Sequence, residues 1–388
     1  MKLRPSLLML LYLLRRGLIG NVSAVSPENT TLVGSRPLNG TSTPHQVTEG
    51  CNLNLETQQA LGGAIAKLGL KLLTNLQPGP EQPNVILSPL SISLALSHLA
   101  LGARNETEEQ LLGALHADLL SDYNEILSCL QKQLIAKAIN VASRIYLKAG
   151  EWKSRFDTRF TAKDLFYIDR QTSVKVDMMM GSKYPLSMFV DGEQGIQVAR
   201  FPFQQNVSFL VVMPLPSQNL SKAAANLNIS DLYRRLPSEI PMLVKLPKFK
   251  LEYKQDLKQA LTSMGLGTLF SGPDLSGIAV GPLVVSGVQH ASSIELNEEG
   301  AEASAATSVT LVRTIPIFAV NMPFIFAVVD DVSHTPLFLG MVTNPNPRAS
   351  AELSDDPETL EFLSSNMPSD KPQNDDPYWD NMLHDESP

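Results

Sequence analysis

The stretch from residue 298 to residue 313, EEGAEASAATSVTLVR, constrains the fold of this chain more than any other part of the sequence. In a strand its side chains would alternate between two faces. One face would carry only the small side chains of Ala301, Ala303, Ala305 and Thr307, so it could enter a β-sheet without overpacking the layer below. The charged Glu302 falls on the opposite face. This pattern suits a loop that must later become a strand.

An alanine-rich helix is the alternative interpretation of the same stretch, because alanine has the highest helix propensity. The β-branched residues at its end argue against a helix. They are Thr307, Val309, Thr310, Val312, Thr314 and Ile315. The pattern alone leaves both interpretations open.

Patterns elsewhere predict individual helices. Apolar residues recur at helical spacing between residues 61 and 76. Ser88 followed by Pro89 predicts the N-cap and first position of a helix that is apolar on most of its surface and therefore buried. Asp256 is expected to cap a helix that runs to Met264.

Other patterns predict strands. Residues 140–147 are expected to form a strand, and the apolar runs 201–214 and 318–329 suit buried strands. Residues 244–251 alternate as a half-exposed strand would. That alternation slips by one residue at Pro247-Lys248, which predicts a bulge or an edge position there.

Four blocks of the chain resemble the serpin family and occur in that family's order. They are NVILSPLSISLALSHLALGARNET (84–107), DLKQALTSMGLGTLFSGPDLSGI (256–278), VQHASSIELNEEGAEASAAT (288–307) and FAVNMPFIFAVVDDVSHTPLFLGMVTNPNP (318–347). The resemblance runs from about residue 55 to residue 347. It implies an α+β fold with three β-sheets, surrounding helices and an exposed reactive loop.

The resemblance also implies that a protease attacks this loop between Arg313 and Thr314. A trypsin-like protease takes arginine because an aspartate lies at the base of its specificity pocket, and Arg313 is the only base between residues 288 and 347. If the number of residues between Gly300 and the attacked bond is the same as in most serpins, the protease would cleave after Thr314. If this segment is one residue shorter, the protease would cleave after Arg313. Since threonine would suit that pocket poorly, pocket chemistry favours Arg313. The hinge residues are Glu298, Glu299, Gly300, Ala301, Glu302, Ala303, Ala305 and Thr307.

The mechanism that the resemblance implies is a covalent trap. The protease forms an acyl-enzyme at Arg313, and the cleaved loop then enters a sheet as an extra strand and carries the protease with it. The expected partner of a monomeric chain is a trypsin-like serine protease, plasmin first and trypsin second. The chain itself would need no cofactor and no catalytic residues. A secreted binding or carrier protein on the same scaffold is the alternative, although the small hinge residues favour the inhibitor.

Three polar residues resemble the cluster that controls sheet opening in serpins: Ser88, Ser91 and His290. Without the resemblance, they would be interpreted as a helix cap, a polar helix residue and a core histidine with satisfied hydrogen bonds. Ser88 has no G-x-S-x-G elbow around it, and the six histidines show no metal-ligand spacing. The sequence therefore predicts neither an enzyme nor a metal site.

The chain departs from the family at Gly150-Glu151, where NVASRIYLKAG passes directly into EWKSRFDTRF. Roughly seventy residues are missing there relative to a serpin domain: a helix, an edge strand, a second helix and most of a central strand. A splice variant or a gene-model error would explain the gap. We expect one neighbour of the inserting loop to be largely absent, which would leave an unprotected sheet edge.

Secretion is expected from residues 1–24, in which two bases precede an apolar run and Val22-Ser23-Ala24 resembles a cleavage site. A flexible arm at 25–50, the serpin domain at 51–347 and an acidic tail at 348–388 would follow. Six glycosylation sequons fit this compartment: Asn29, Asn39, Asn105, Asn206, Asn219 and Asn228. Cys51 and Cys129 are expected to form one disulfide, as the resemblance also implies, with two free thiols as the alternative.

Charge is concentrated at the end of the chain. The net charge is −8, and residues 348–388 hold eleven acids and two bases, so the rest is nearly neutral. A partner nucleic acid and tight heparin binding are therefore not expected, and no apolar segment is long enough to span a membrane. Tyr378 lies in an acidic setting suited to sulfation, and a solvated disordered tail is the alternative.

Overall fold

The computed structural model describes residues 51–353 apart from residues 52, 77, 121, 137–144, 149–151, 217 and 300–315. Seven α-helices occur in this part of the chain: α1 (Leu55–Asn75), α2 (Pro89–Ala100), α3 (Asn105–Ala114), α4 (Tyr123–Ala136), α5 (Leu220–Ala225), α6 (Ile229–Arg235) and α7 (Lys258–Leu261). The strands are β1 (Val85–Leu87), β2 (Ile145–Lys148), β3 (Ala162–Tyr167), β4 (Thr172–Asp191), β5 (Ile196–Pro202), β6 (Val207–Pro214), β7 (Ile240–Asp256), β8 (Gln289–Leu296), β9 (Ile317–Ala319), β10 (Phe324–Asp330), β11 (Pro336–Val342) and β12 (Glu352–Leu353). None of the helices in this part of the chain is long and apolar enough to cross a bilayer.

Two long strands join three groups of paired strands. The order β1-β11-β10-β6-β5-β4-β7-β8-β2 forms one path, and β3, β9 and β12 pair with β4 or β7 beside it. The 20-residue β4 passes from the group containing β3 and β7 to the group containing β5, with an irregular register between Gly181 and Tyr184. The 17-residue β7 likewise pairs first with β4 and β9 and then with β8. The strands therefore form three sheets that share long strands, and helices pack on them, which confirms the predicted α+β architecture.

The slip at Pro247-Lys248 is not a bulge. The register of β7 against β4 continues through Leu246, Pro247 and Lys248 without a shift, and pairing with β8 begins at the next residue, Phe249. Two consecutive buried residues, Leu246 and Pro247, occur because the strand changes sheets here and meets a different core on each side. The prediction of a bulge was therefore wrong, whereas the alternative of an edge position fits, because among the described strands Pro247 and Lys248 pair with β4 alone.

Helix α2 confirms its predicted start and burial. Ser88 is the N-cap residue, Pro89 is the first helical residue, and nine of the 12 residues of α2 are buried. However, the Ser88 side chain makes no capping hydrogen bond. The expected helix after Asp256 is also shorter than predicted: α7 covers Lys258–Leu261, and a turn of π-helix follows.

Apolar runs produce the buried strands. Every residue of β10 and β11 is buried, as are seven of the eight residues of β6. These three strands pair in antiparallel fashion at the centre of the sheet. The run at 201–214 is interrupted at Gln204–Asn206, a short 3₁₀ turn between β5 and β6. The apolar pattern thus located the core correctly and missed only the turn.

Strand β2 covers part of the edge of β8 that was predicted to be largely unpaired. It lies parallel to β8, with Ile145 opposite Ser292 and Lys148 opposite Glu295. On its other side β8 pairs with β7 along its full length of eight residues. Within the described residues, half of β8 therefore has a paired strand on each side. The predicted strand at 140–147 is described only from residue 145 onward.

Cys51 and Cys129 are joined in a disulfide, with their Cα atoms 5.5 Å apart. The bond links the residues before α1 to α4. Gln133, one turn further along α4, donates a hydrogen bond from Nε2 to the Cys51 carbonyl oxygen at 3.4 Å. The disulfide therefore fixes the point at which the N-terminal segment meets the helical layer.

Candidate functional site

The two ends of the predicted reactive loop are described, and its centre is not. Several predicted residues lie outside the described part of the chain: Gly300, Ala301, Glu302, Ala303, Ala305, Thr307, Arg313 and Thr314 of the loop, Asn29 and Asn39 of the arm, and Tyr378 of the tail. The described ends are the residues that follow β8, up to Glu299, and those that start at Pro316 and lead into β9. Their contacts define where the loop leaves the sheets and where it returns.

Both ends of the loop are held by β7. Leu296, the last residue of β8, lies opposite Phe249, and Ile317 of β9 lies opposite Leu243. The Leu243 backbone amide also donates to the Pro316 carbonyl oxygen at 2.9 Å. These positions are six residues apart on β7, which corresponds to about 20 Å. The 20 residues between Leu296 and Ile317 could reach about 70 Å when extended, so the loop is far longer than its anchors require.

Glu298 anchors the first end of the loop. It is 7% exposed, and its two carboxylate oxygens accept hydrogen bonds from Thr161 Oγ1 at 2.8 Å and from Lys248 Nζ at 2.9 Å. Burial would raise the pKa of this carboxyl, but the hydrogen bonds, led by that from Lys248, outweigh it and lower the pKa. Glu298 is therefore ionised at neutral pH and ties the hinge to β7.

Trp152 holds the same end of the loop from the other side. Its indole Nε1 donates to the Asn297 carbonyl oxygen at 2.7 Å, and its backbone amide donates to the Glu299 carbonyl oxygen at 3.1 Å. The ring is fully buried and stacks on Phe203, with ring centroids 4.4 Å apart. Sequence reasoning did not single out this tryptophan. Its position in the block EWKSRF, directly after the junction, was the available signal.

A cavity of about 480 Å³ lies against this anchor. Its lining includes Arg155, Asp157, Lys248, Glu298 and Glu299. The cavity thus lies at the point where the chain leaves β8 and turns into the loop.

The predicted sheet-opening residues come together beneath β8. The Ser88 backbone amide donates to His290 Nε2 at 3.3 Å, and Ser91 Oγ donates to the Ser88 carbonyl oxygen at 3.0 Å. Ser292, which sequence reasoning missed, donates from Oγ to the Ile86 carbonyl oxygen at 2.7 Å. It is two residues beyond His290 and so shares its face of the strand, which is the signal that could have identified it.

One buried hydroxyl of this region, Ser88 Oγ, has no hydrogen-bond partner among the described residues. A buried polar group without a partner costs about 1–3 kcal/mol. Ser88 therefore occupies the N-cap position of α2 without a capping hydrogen bond from its side chain.

His290 is 7% exposed, and burial lowers its pKa from 6.5 to about 4, despite an opposing hydrogen bond with the Ile86 backbone. The unfolded chain therefore binds a proton on this residue between pH 6.5 and pH 4, whereas the folded chain does not. Stability from His290 is present above pH 6.5 and is lost as the pH falls. We expect the free energy of unfolding to fall by about 2 kcal/mol from this residue between pH 7.5 and pH 5.

Denaturant titration at the two pH values, on the parent chain and on His290→Gln, measures this contribution. The variant should be less stable at pH 7.5 and should lose less stability on acidification. His98, His116 and His334, whose pKa values burial also lowers, are present in both proteins and cancel in the comparison. The same loss of stability on acidification in both proteins would contradict the assignment.

The four sequon asparagines within the described residues, Asn105, Asn206, Asn219 and Asn228, are all exposed. Asn219 and Asn228 are also the N-cap residues of α5 and α6: their side chains accept hydrogen bonds from the backbone amides of Lys222 and Asp231 at 2.7 and 3.2 Å. A side-chain oxygen used in this way leaves the amide nitrogen as the attachment atom.

Comparison with known proteins agrees with the motifs. The family model Serpin (serine protease inhibitor) matches residues 63–150 and 136–345, two segments that overlap at residues 136–150. Alpha-2-antiplasmin from Bos taurus is 36% identical over 385 residues, which cover 81% of this chain and 78% of the relative. Alpha-2-antiplasmin from Mus musculus is 37% identical over 370 residues, which cover 77% and 75%.

More distant relatives share the fold. Pigment epithelium-derived factor from Homo sapiens is 27% identical and covers 74% of this chain and 87% of the relative. The crystal structure of mouse protein-Z dependent protease inhibitor superposes with a TM-score of 0.64 at 22% identity and covers 75% of this chain and 98% of that one. The chain therefore belongs to the serpin family of serine protease inhibitors, is similar to alpha-2-antiplasmin within it, and is not an enzyme.

Proposed function

We propose that the chain offers Arg313 to an extracellular trypsin-like protease, plasmin in the first place and trypsin in the second, and that its lineage regulates fibrinolysis. One observation carries this proposal: Arg313 is the only base between residues 288 and 347, in a loop whose described ends are both anchored on β7. The similarity to two proteins named alpha-2-antiplasmin supports plasmin as the target. The small residues at 301, 303, 305 and 307 support entry of the cleaved loop into a sheet.

A second function is favoured by the pairing of β8. An inserted strand needs a neighbour on each side, and among the described residues β2 pairs with β8 at four positions, from Ser292 to Glu295. The alignment with the bovine relative also spans more positions than this chain supplies, by about 70. We therefore propose that this shortened form is cleaved as a substrate and does not trap the protease. A non-inhibitory serpin would behave in the same way.

The remaining features belong to the same proposal. We propose a secreted monomer with four parts. They are a signal peptide at 1–24, a glycosylated arm at 25–50, a serpin domain at 51–347 and an acidic tail at 348–388. The disulfide between Cys51 and Cys129 suits that compartment. Sulfation of Tyr378 would add charge to a tail that could meet a basic protease surface.

A denaturing gel of the purified chain after incubation with plasmin tests the two functions against each other. We expect cleavage after Arg313 with full recovery of protease activity, because within the described residues β2 pairs with only half of β8. A band at the summed mass that survives boiling would instead show a covalent trap that works despite the missing segment. A chain that plasmin and trypsin leave intact would contradict the choice of protease.

A further inference from the structure

We propose that a groove between the start of α1, helix α6 and the turn after β10 binds the first sugars of an N-linked glycan on Asn228. The groove has a volume of about 560 Å³ and is hereafter called the α1–α6 groove. This volume lies within the range of about 300–1,000 Å³ typical of small-ligand sites, and a disaccharide is of that class. The inference rests on the proposed secretion, since N-glycans are added in the secretory pathway.

The attachment point is part of the groove wall. Asn228 lines the groove, and so does Ser230, the third residue of its sequon. Asn228 Oδ1 accepts the backbone amide of Asp231 at 3.2 Å, so the side chain is fixed by its role as the cap of α6. The amide nitrogen that would carry the sugar is therefore held at the edge of the groove by the local structure.

The walls combine apolar and polar groups as a carbohydrate requires. Leu55 and Ala60 provide apolar surface for the flat face of a sugar ring, and Leu55 is 55% exposed. Glu56, Gln59 and Arg234 line the same groove and can bond to hydroxyl and N-acetyl groups. A bound glycan would cover the exposed side chain of Leu55.

His334 contributes an imidazole ring to the wall of the groove. Its ring stacks on Tyr233 with centroids 4.7 Å apart, and it lines the groove. Its Nδ1 atom is buried and has no hydrogen-bond partner among the described residues, so it lies behind the groove surface and outside the reach of a bound sugar.

Asn219 provides a matched comparison within the same molecule. It is also an exposed sequon asparagine that caps a short helix, and its side chain accepts the Lys222 amide at 2.7 Å. It lines neither of the two cavities described above. Because Asn219 does not line the α1–α6 groove and its side chain caps a helix as Asn228 does, the Asn219 glycan is the comparison for the effect of the groove.

The test compares the two sites in one native protein. The full chain is secreted from cultured animal cells and treated under native conditions with peptide-N-glycosidase F, and the loss of each glycan is followed by mass spectrometry of peptides. We expect the Asn228 glycan to be released about tenfold more slowly than the Asn219 glycan. This ratio follows if the glycan occupies the groove for about nine-tenths of the time and the glycosidase reaches it only when it is unbound.

Two surface variants then examine the groove itself. Leu55→Ser removes its apolar wall, and Ala60→Gln places a longer side chain in it; both positions are exposed, so α1 should still fold. Each should raise the Asn228 release rate to that of Asn219 and leave Asn219 unchanged. Equal rates at the two sites of the parent chain, or an Asn228 without glycan in the secreted protein, would overturn the proposal.

The same preparation separates this inference from the proposed function. Cleavage by plasmin after Arg313 is measured on it in parallel. A failure of plasmin to cleave leaves the release rates at Asn228 and Asn219 unaffected, and equal release rates leave the cleavage result unaffected.

Discussion

Replacing Arg313 by alanine is expected to lower the rate at which plasmin or trypsin cleaves this chain by about 10⁴-fold. The reason is the buried aspartate of the protease pocket, which would lose its cationic partner and remain desolvated without a hydrogen bond. A site built to bond a polar group rejects a ligand that lacks it by about this factor. The ratio kcat/KM for cleavage, measured on purified parent and variant chains, gives the result directly.

Arg313→Lys is the matched control for this change. It keeps the positive charge, so cleavage should continue at a rate much closer to that of the parent chain. The first residue of the released C-terminal fragment should be Thr314 in both cases. A fragment that begins at Ile315, or an alanine variant cut as fast as the parent, would favour the other count of the hinge and remove Arg313 from its role.

Most of the fold could be predicted because its signals are local. The Ser88-Pro89 start of α2 and the apolar runs that became β6 and β10 follow directly from side-chain chemistry. Strand β7 shows the limit of such reasoning: the slip at Pro247-Lys248 looked like a bulge, but it marks a change of sheet. The alternation in a single sequence predicts which face of a strand each side chain lies on. It does not predict which strand or sheet packs against that face.

The anchor of the reactive loop was harder to predict than its chemistry. Glu298 was identified as a hinge residue, but its bonds to Thr161 and Lys248 join positions 137 and 50 residues away. Trp152 contacts the Asn297 carbonyl oxygen from 145 residues away. No local periodicity encodes pairs at such distances. The two alternatives for residues 298–313 also stay open as structure, because residues 300–315 lie outside the described part of the chain.

Inserting the missing segment of about 70 residues between Gly150 and Glu151, with the sequence of an alpha-2-antiplasmin relative, should convert this chain from a substrate into an inhibitor. In the part of the chain that the structure describes, β8 pairs with β7 at eight positions and with β2 at four. A full central strand would give the inserting loop a neighbour on each side, and each backbone hydrogen bond gained contributes about 0.5–1.5 kcal/mol. We expect a boiling-stable complex with plasmin on a denaturing gel and a matching loss of protease activity.

The same insertion in the Arg313→Ala background is the control, because it restores the sheet without restoring the scissile bond. It should form no complex, which would show that the covalent band depends on attack at Arg313 and not on association of the new segment with the protease. If the restored chain with Arg313 is only cleaved, the inhibitor function fails for this lineage, and the non-inhibitory serpin becomes the better description. The insertion therefore tests whether the limited pairing of β8, at four residues with β2, is the reason that plasmin cleaves the chain as a substrate and is not trapped by it.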